Sequence, residues 1–363
     1  MAKLSSHLSL YIPHLLTPGP KRDQLAQIDL PELSALALLL SRSKNHIIAQ
    51  QGFFERSFSL FDLLPDNVAE NDLPIASVSL SALNSASKEQ KIQNHPQWVY
   101  KINPVYLHPD MDQLILSADL SQQIENHEAQ QICQSINDYF NDSEQDKSWK
   151  LHYFAENHFY LISQCKIEMT TTTLDKVLGL PITHQLPKGK DADYWNQTLN
   201  EIQMFLFSMP LNQKRKEQGK TPINSLWIWG GGEFPLAIKP GQENHINREW
   251  NLVYSTNYLI EDFCQFLNIP HQRLDQFKPL KESNQLLVID ELQTAYAAKD
   301  FYHWLESIEN LENTLFTPLV QALKQQNIKT LQIITEDSQR FSLNIRQLNA
   351  WWKRKLPINH YLK

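Results

Sequence analysis

The sequence predicts an α/β protein: a largely parallel sheet with helices on both faces, plus an inserted α+β domain. Three observations lead there. Short apolar runs such as Leu286–Ile289 and Thr330–Ile334 alternate with amphipathic helical stretches, the pattern of strands buried on both faces. A middle block beginning near Pro96 instead carries closely spaced strands and a hairpin signal. At 363 residues and 42% hydrophobic content, the chain is long and apolar enough for two cores.

Leu8–Ile12 reads as the first strand, stopped by Pro13, and Pro18-Gly19-Pro20 as a loop. Pro31–Arg42 has helical period with Pro31 and Glu32 at its start. Ser77–Ser87, rich in serine and uncharged, and the polar Lys88–Asn94 after it read together as a surface connection. Trp98–Ile102 and Leu114–Ser117 read as strands, and Glu125–Phe140 as an amphipathic helix. Lys150–Phe154 and His158–Ser163 form a hairpin around Glu156-Asn157, and Thr170–Thr173 opens a short helical stretch. Tyr194–Met209 is a long helix stopped by Pro210. Strand Ser225–Trp229 enters a glycine turn at Gly230-Gly231-Gly232, and helix Asn257–Leu267 follows. Phe301–Lys324 is helical in two pieces split at Thr317-Pro318, and Ile345–Lys353 is a closing helix.

A net charge of −7 argues against broad nucleic-acid binding, which needs a basic face. Cys133, Cys165 and Cys264 are too few and too scattered for a disulfide framework or a zinc site. No leader-like segment opens the chain and no apolar run reaches about 18 residues. The expectation is a cytoplasmic protein that meets neither membrane nor nucleic acid.

Three of nine glycines fall together, which calls for a backbone reason. Gly230, Gly231 and Gly232 permit close approach to an anion, yet they match neither a P-loop nor a dinucleotide fingerprint. Trp227 and Trp229 share one side of their strand by period two; they suit ligand stacking or core packing. Asn212 and Arg215, three residues apart, form an amide and guanidinium pair suited to phosphate or carboxylate. With Asn224, Glu201 and Gln203 they complete a candidate ligand pocket. Glu201 with nearby Asp193 could act as paired carboxylates, or both could lie on a solvated helix face. Asp290-Glu291 and Glu336-Asp337 stand at strand ends, where α/β sheets bind ligands. No nucleophile elbow is present.

The run Asn200-Glu201-Ile202-Gln203-Met204, Pro210-x-Asn212-x-x-Arg215 and Gly219-x-x-Pro222 through Trp229-Gly230-Gly231-Gly232-x-x-Pro235 resembles the bacterial RpfE-type regulatory protein family. It is also similar to the archaeal-type cofactor-independent phosphoglycerate mutases, with Met209 where those have His. The likeness extends to Asn103-Pro104-Val105, to Leu120–Asn137 with Glu128-Ala129, and to Asp300, Ile308-Glu309-x-x-Glu312 and Pro318-Leu319.

The resemblance implies an alkaline-phosphatase-like core at 1–94 and 222–363 with an inserted domain at 95–221. It also implies a phosphorylated Ser and two divalent metals held by Asp and His. This chain departs there. Its first strand ends Tyr11-Ile12-Pro13-His14, without the mutases' Asp-Gly. Asp72-Leu73-Pro74-Ile75-Ala76 stands for their Gly-Ser-Asp-x-Ala, and Leu73 has no attacking oxygen. Asp290-Glu291-Leu292-Gln293-Thr294 and Asp337-Ser338 lack their His ligands. The expectation is a degenerate, non-catalytic relative with no cofactor, binding a small phosphorylated metabolite or a protein partner in a regulatory role. The alternatives are a metal-dependent phosphatase or mutase using Asp290 and Asp337 with Mn²⁺ or Mg²⁺, and a protein-binding scaffold with Trp351-Trp352 on its surface.

Overall fold

The structure, a computed structural model, describes residues 6–19, 30–65, 72–86, 97–117, 124–141, 149–236 and 250–363. The expectations for Pro20, for residues 87–96 including the boundary at 94/95, and for residues 120–123 lie outside them. Among the described residues no helix is long and apolar enough to cross a membrane.

In chain order the elements are β1 (His7–Tyr11), α1 (Ser34–Arg42), β2 (Lys44–Ile47), α2 (Phe53–Leu60) and α3 (Ile75–Ala86). Then come β3 (Gln97–Val105), β4 (Leu107–Asp110), β5 (Gln113–Leu116), α4 (Asn126–Asn141), β6 (Trp149–Ala155) and β7 (His158–Ser163). After the short strands β8 (Met169–Thr170) and β9 (Lys188–Gly189) follow α5 (Ala192–Ser208), α6 (Pro210–Glu217) and β10 (Ser225–Phe234). The remainder is β11 (Leu252–Ser255), α7 (Tyr258–Leu267), β12 (His271–Gln272), β13 (Asn284–Val288), α8 (Glu291–Ala297) and α9 (Phe301–Leu311). It closes with α10 (Thr317–Lys324), β14 (Thr330–Ile334), β15 (Gln339–Asn344) and α11 (Ile345–Leu348).

The chain divides into two compact units, Met1–Ser57 with Asn247–Lys363, and Phe58–Ile246. The first is an α/β layer structure around a seven-stranded sheet ordered β12-β11-β13-β1-β14-β15-β2. The five strands from β12 to β14 are parallel; β15 and β2 add on antiparallel. Leu10 pairs with Leu287 and Ile333, so one face presents a continuous apolar row. That row packs against Leu36 and Leu40 of α1, Trp304 and Ile308 of α9, and Leu319 and Leu323 of α10. On the other face Tyr11 stacks on Phe53 of α2, with ring centroids 5.7 Å apart. Burying each such Leu contributes about 1.5–3 kcal/mol.

The second unit is built on an antiparallel sheet ordered β10-β3-β7-β6. Tyr100, Ile102, Leu161 and Ile228 pack against α4 (Ile132, Ile136) and α5 (Trp195, Leu199, Ile202). Val99, Tyr160 and Phe234, from alternate positions, pack against Ala76 and Leu80 of α3. Asn157, at φ 62°, makes the β6–β7 hairpin turn where it was expected.

Several expectations need correction. Residues 77–86 are not a surface connection but most of α3, because Ile75, Ala76, Val78, Leu80 and Ala82 are all buried. Two of its serines make hydrogen bonds, Ser79 with the Tyr160 hydroxyl at 2.7 Å and Ser81 to the Ser77 carbonyl at 2.7 Å. Helix α3 and strand β10 pack with β3, in the unit Phe58–Ile246. Pro210 stops α5 but also starts α6 at its first turn, where its missing N–H costs nothing. Thr170–Thr173 does not open a helix; β8 pairs with β9, and a single 3₁₀ turn follows at Leu174–Lys176.

Phe301–Lys324 is not split at Pro318 but runs on through a π-helical Glu312–Phe316. That segment buries Glu312, whose carboxylate accepts the N–H groups of Ala35 (2.5 Å) and Leu36 (3.0 Å) at the start of α1. The closing helix is one turn, Ile345–Leu348, fixed by an Asn344/Gln347 capping box.

Candidate functional site

The glycine triplet is not a turn. β10 runs through it as a bulge: Trp229 pairs with Lys101 and Gly232 with Val99. Gly230 sits at φ 64° with its missing Cβ 3.0 Å from Ile75. A Cβ on Gly231 would lie 2.0 Å from the Tyr100 ring, and one on Gly232 would lie 3.0 Å from Pro74 and Ser77. The glycines therefore let α3 and Tyr100 close on the strand.

The bulge does hold an anion, and the anion is the chain's own. The Gly231 N–H donates to Asp72 Oδ2 at 3.1 Å, and the Gly230 N–H to Thr171 Oγ1 at 3.1 Å. Thr171 donates both its N–H, at 2.6 Å, and its hydroxyl to the same carboxylate. Burial raises the Asp72 pKa above the ordinary carboxylate value, while the bonds from Thr171 and Gly231 pull it down. Leu73, two residues before α3, is buried.

Most of the candidate pocket residues are structural staples. Asn212 donates to the carbonyls of Leu206 and Ile223, both at 2.7 Å, and accepts the Ile223 N–H at 2.8 Å. Arg215 is 1% exposed; its Nη1 meets Glu128 Oε2 at 2.7 Å and its Nε donates to the Thr221 carbonyl. Asn224 exchanges two 2.7 Å hydrogen bonds with the Leu107 backbone. Trp227 and Trp229 share a face, as period two predicts, but are buried with their indole N–H groups donated to the Thr172 carbonyl and Asn103 Oδ1. Glu201 accepts from Gln197 at 3.2 Å on α5, and Gln203 is partly buried on the same helix.

A cleft of about 500 Å³ lies beside the bulge, which the sequence did not flag. Asp72, Trp98, Tyr100, Lys166, Lys188 and Gly231 are among the residues that line it. Lys166 stands 5.7 Å over the Trp98 ring and 3.3 Å from Glu168, which also meets Lys190. Burial, with Asp72 and Asp191 nearby, raises the Tyr100 pKa well beyond its ordinary value. The cleft draws on five separate segments of the sequence, so no local motif marks it.

In the other unit the carboxyl ends of the parallel strands carry Asp290 and Asp337, the residues that the alternative of a metal-dependent enzyme would use. Asp290 Oδ2 accepts from Asn257 Nδ2 at 2.7 Å, and burial raises its pKa. Asp337 accepts from the Thr335 hydroxyl, from Gln339 Nε2 at 3.0 Å and from Lys363 Nζ at 3.0 Å. His14, at φ 57°, meets Glu336 at 2.8 Å and stacks on Tyr296 at 3.7 Å. Asp290 and Asp337 thus lie in separate hydrogen-bonded groups. Among the described residues no three His, Cys, Asp or Glu side chains are grouped as metal ligands. The donor set does not fit the two-metal centre that the resemblance implies.

Residues 81–212 match the family of 2,3-bisphosphoglycerate-independent phosphoglycerate mutases. A probable mutase of this kind from Geobacter sulfurreducens is 27% identical over 136 residues, 38% of this chain and 33% of the relative. One from Methanosarcina mazei is 37% identical over 68 residues, 19% of this chain and 17% of the relative. The matches thus span a third or less of these relatives' length. A solved cofactor-independent phosphoglycerate mutase from Thermoplasma acidophilum aligns over 93% of this chain and 89% of its own, with 13% identity and a TM-score of 0.43. The middle of the chain is mutase-like in sequence.

Proposed function

We propose that this chain is a phosphoglycerate-mutase-like protein that binds a small phosphorylated metabolite without transferring its phosphate. Its role is regulatory, as the RpfE-type likeness implies, and its place is the cytoplasm. The observation that supports this reading is how the strand-end carboxylates are engaged: Asp290 by Asn257, and Asp337 by Thr335, Gln339 and Lys363. A phosphoryl-transfer centre needs open metal ligands and an oxygen nucleophile, and Leu73 offers none.

The test pairs binding with turnover on protein purified without chelator. Calorimetric titration with 3-phosphoglycerate and related phosphorylated metabolites is expected to show saturable heat. Mutase and phosphate-release assays in Mn²⁺ or Mg²⁺ are expected to show none above background. Stoichiometric bound metal with turnover that disappears in Asp337→Ala establishes the metal-dependent phosphatase instead.

A second reading, a protein-binding scaffold, draws support from Trp351 and Trp352, which are 83% and 70% exposed instead of docked on the core. Crosslinking in native lysate separates it: a specific partner lost in Trp351→Ala supports the scaffold, and a lone monomer removes it.

A further inference from the structure

The strongest unassigned feature is a pair of arginines at the carboxyl end of the parallel sheet. Register places Tyr11, Ile334 and Arg340 in one row across β1, β14 and β15. Their side chains therefore share a face. Phe53 of α2 stacks on Tyr11, and Arg56 lies one helical turn beyond Phe53. Helix α2 thus carries Arg56 onto the face that holds Arg340.

Both guanidiniums have unspent donors. Arg56 is 8% exposed; its Nη2 donates to the Ala49 carbonyl, but its Nε is buried without a hydrogen-bond partner. The Nε of the partly buried Arg340 is buried and unpartnered as well. Among the described residues, Glu55 of its own helix attracts Arg56 and Arg340 repels it. Burial and that repulsion both lower its pKa. A buried guanidinium beside a second cation is costly unless something anionic meets it.

We propose that Arg56 and Arg340 together hold one phosphate-sized oxyanion at the Tyr11–Ile334 end of the sheet, either inorganic phosphate or the phosphate group of a small metabolite. Two planar forks suit its oxygens, and the carboxyl end of a parallel sheet is where such ligands sit. The proposal rests on the small-ligand reading above and names the subsite that serves it.

The experiment titrates the full chain with inorganic phosphate, sulfate and 3-phosphoglycerate by calorimetry, in wild type, Arg340→Gln and Arg340→Lys. Arg354→Gln, an exposed charge elsewhere, is the control. The expected result is one saturable site per chain, weakened about ten-fold or more in Arg340→Gln and less in Arg340→Lys, as befits a charged hydrogen bond. Arg354→Gln leaves it unchanged. Circular dichroism confirms that each variant is folded. Tighter binding of 3-phosphoglycerate than of phosphate supports the site and shows that more of the metabolite is held; equal binding supports a phosphate-ion site. Equal affinity in wild type and Arg340→Gln overturns the subsite while leaving metabolite binding intact. Turnover with an intact Arg340 dependence breaks the non-catalytic reading and spares the subsite. No saturable heat from any of the three ligands overturns both.

Discussion

Arg215 in the second unit and Arg56 in the first, both buried, are treated in opposite ways. Arg215 in the second unit is met by Glu128 at 2.7 Å and by the Thr221 carbonyl. Arg56 in the first is met by a single backbone carbonyl and lies within reach of another cation. The same contrast holds for anions. Asp72 takes three donors from Thr171 and Gly231. A charge fully answered by its own chain is architecture. A buried charge left unanswered is where a ligand has something to gain.

The largest expected effect tests the answered side. Arg215→Ala leaves the Glu128 carboxylate buried without its partner, so it should destabilise the second unit by about 3–5 kcal/mol. Replacing both residues by apolar ones, Arg215→Met with Glu128→Leu, should recover much of that loss. Thermal and urea unfolding check both. A loss under about 1 kcal/mol for Arg215→Ala would mean that the pair is not the clasp its geometry implies. Next comes Gly231→Ala. The added Cβ meets the Tyr100 ring, a core group with little room to move, so the cost should be about 1–3 kcal/mol. A neutral result would reopen the bulge as a site kept for ligand approach.

Legibility followed the same division. The apolar strands β13 and β14, helix α7 and the β6–β7 hairpin were readable because period and turn chemistry are local. Helix α3 was not, since a serine-rich, uncharged stretch reads as a surface connection until Val99, Tyr160 and Phe234 of the sheet cover its Ala76 and Leu80 and Tyr160 meets the Ser79 hydroxyl. The glycines were rightly singled out, but their cause is steric and lies in Tyr100, Ile75 and Pro74. Asn212 and Arg215 carry the chemistry of anion recognition; only their partners at Leu206, Ile223, Thr221 and Glu128 show that it is spent internally. Arg56 and Arg340 were passed over because neither stands in a motif, and their nearness depends on a strand register and a helix placement. The cleft at Trp98 and Lys166 escaped for the same reason.

The pH dependence of stability gives a smaller effect. Burial raises the Asp72 pKa in the folded state above its unfolded value. The folded state then binds the proton more tightly, so this residue's contribution increases as pH falls from neutral through the raised pKa. It levels off below the ordinary carboxylate value. The slope cannot exceed about 1.4 kcal/mol per pH unit for one proton. In Asp72→Asn that dependence should vanish, so the stability difference between the proteins should shift toward wild type on acidification. A difference that is flat with pH, or moves the other way, would show that the bonds from Thr171 and Gly231 outweigh burial.

Arg56→Met is the finest test of the contrast between the two arginines. Methionine keeps the long apolar stem, fills similar space and removes the charge. It forfeits the bond to the Ala49 carbonyl, worth about 1 kcal/mol. Against that, it removes a buried cation held near Arg340. In phosphate-free buffer the two effects oppose each other, and the net change should be about 1 kcal/mol or less, far below that of Arg215→Ala. Added phosphate should then raise the unfolding temperature of wild type and not of the variant, because a ligand that binds only the folded form stabilises it by mass action. If Arg56→Met instead costs as much as Arg215→Ala with no anion present, Arg56 is satisfied within its own unit. The contrast between the arginines would then fail, and with it the reason to seek a ligand at that face.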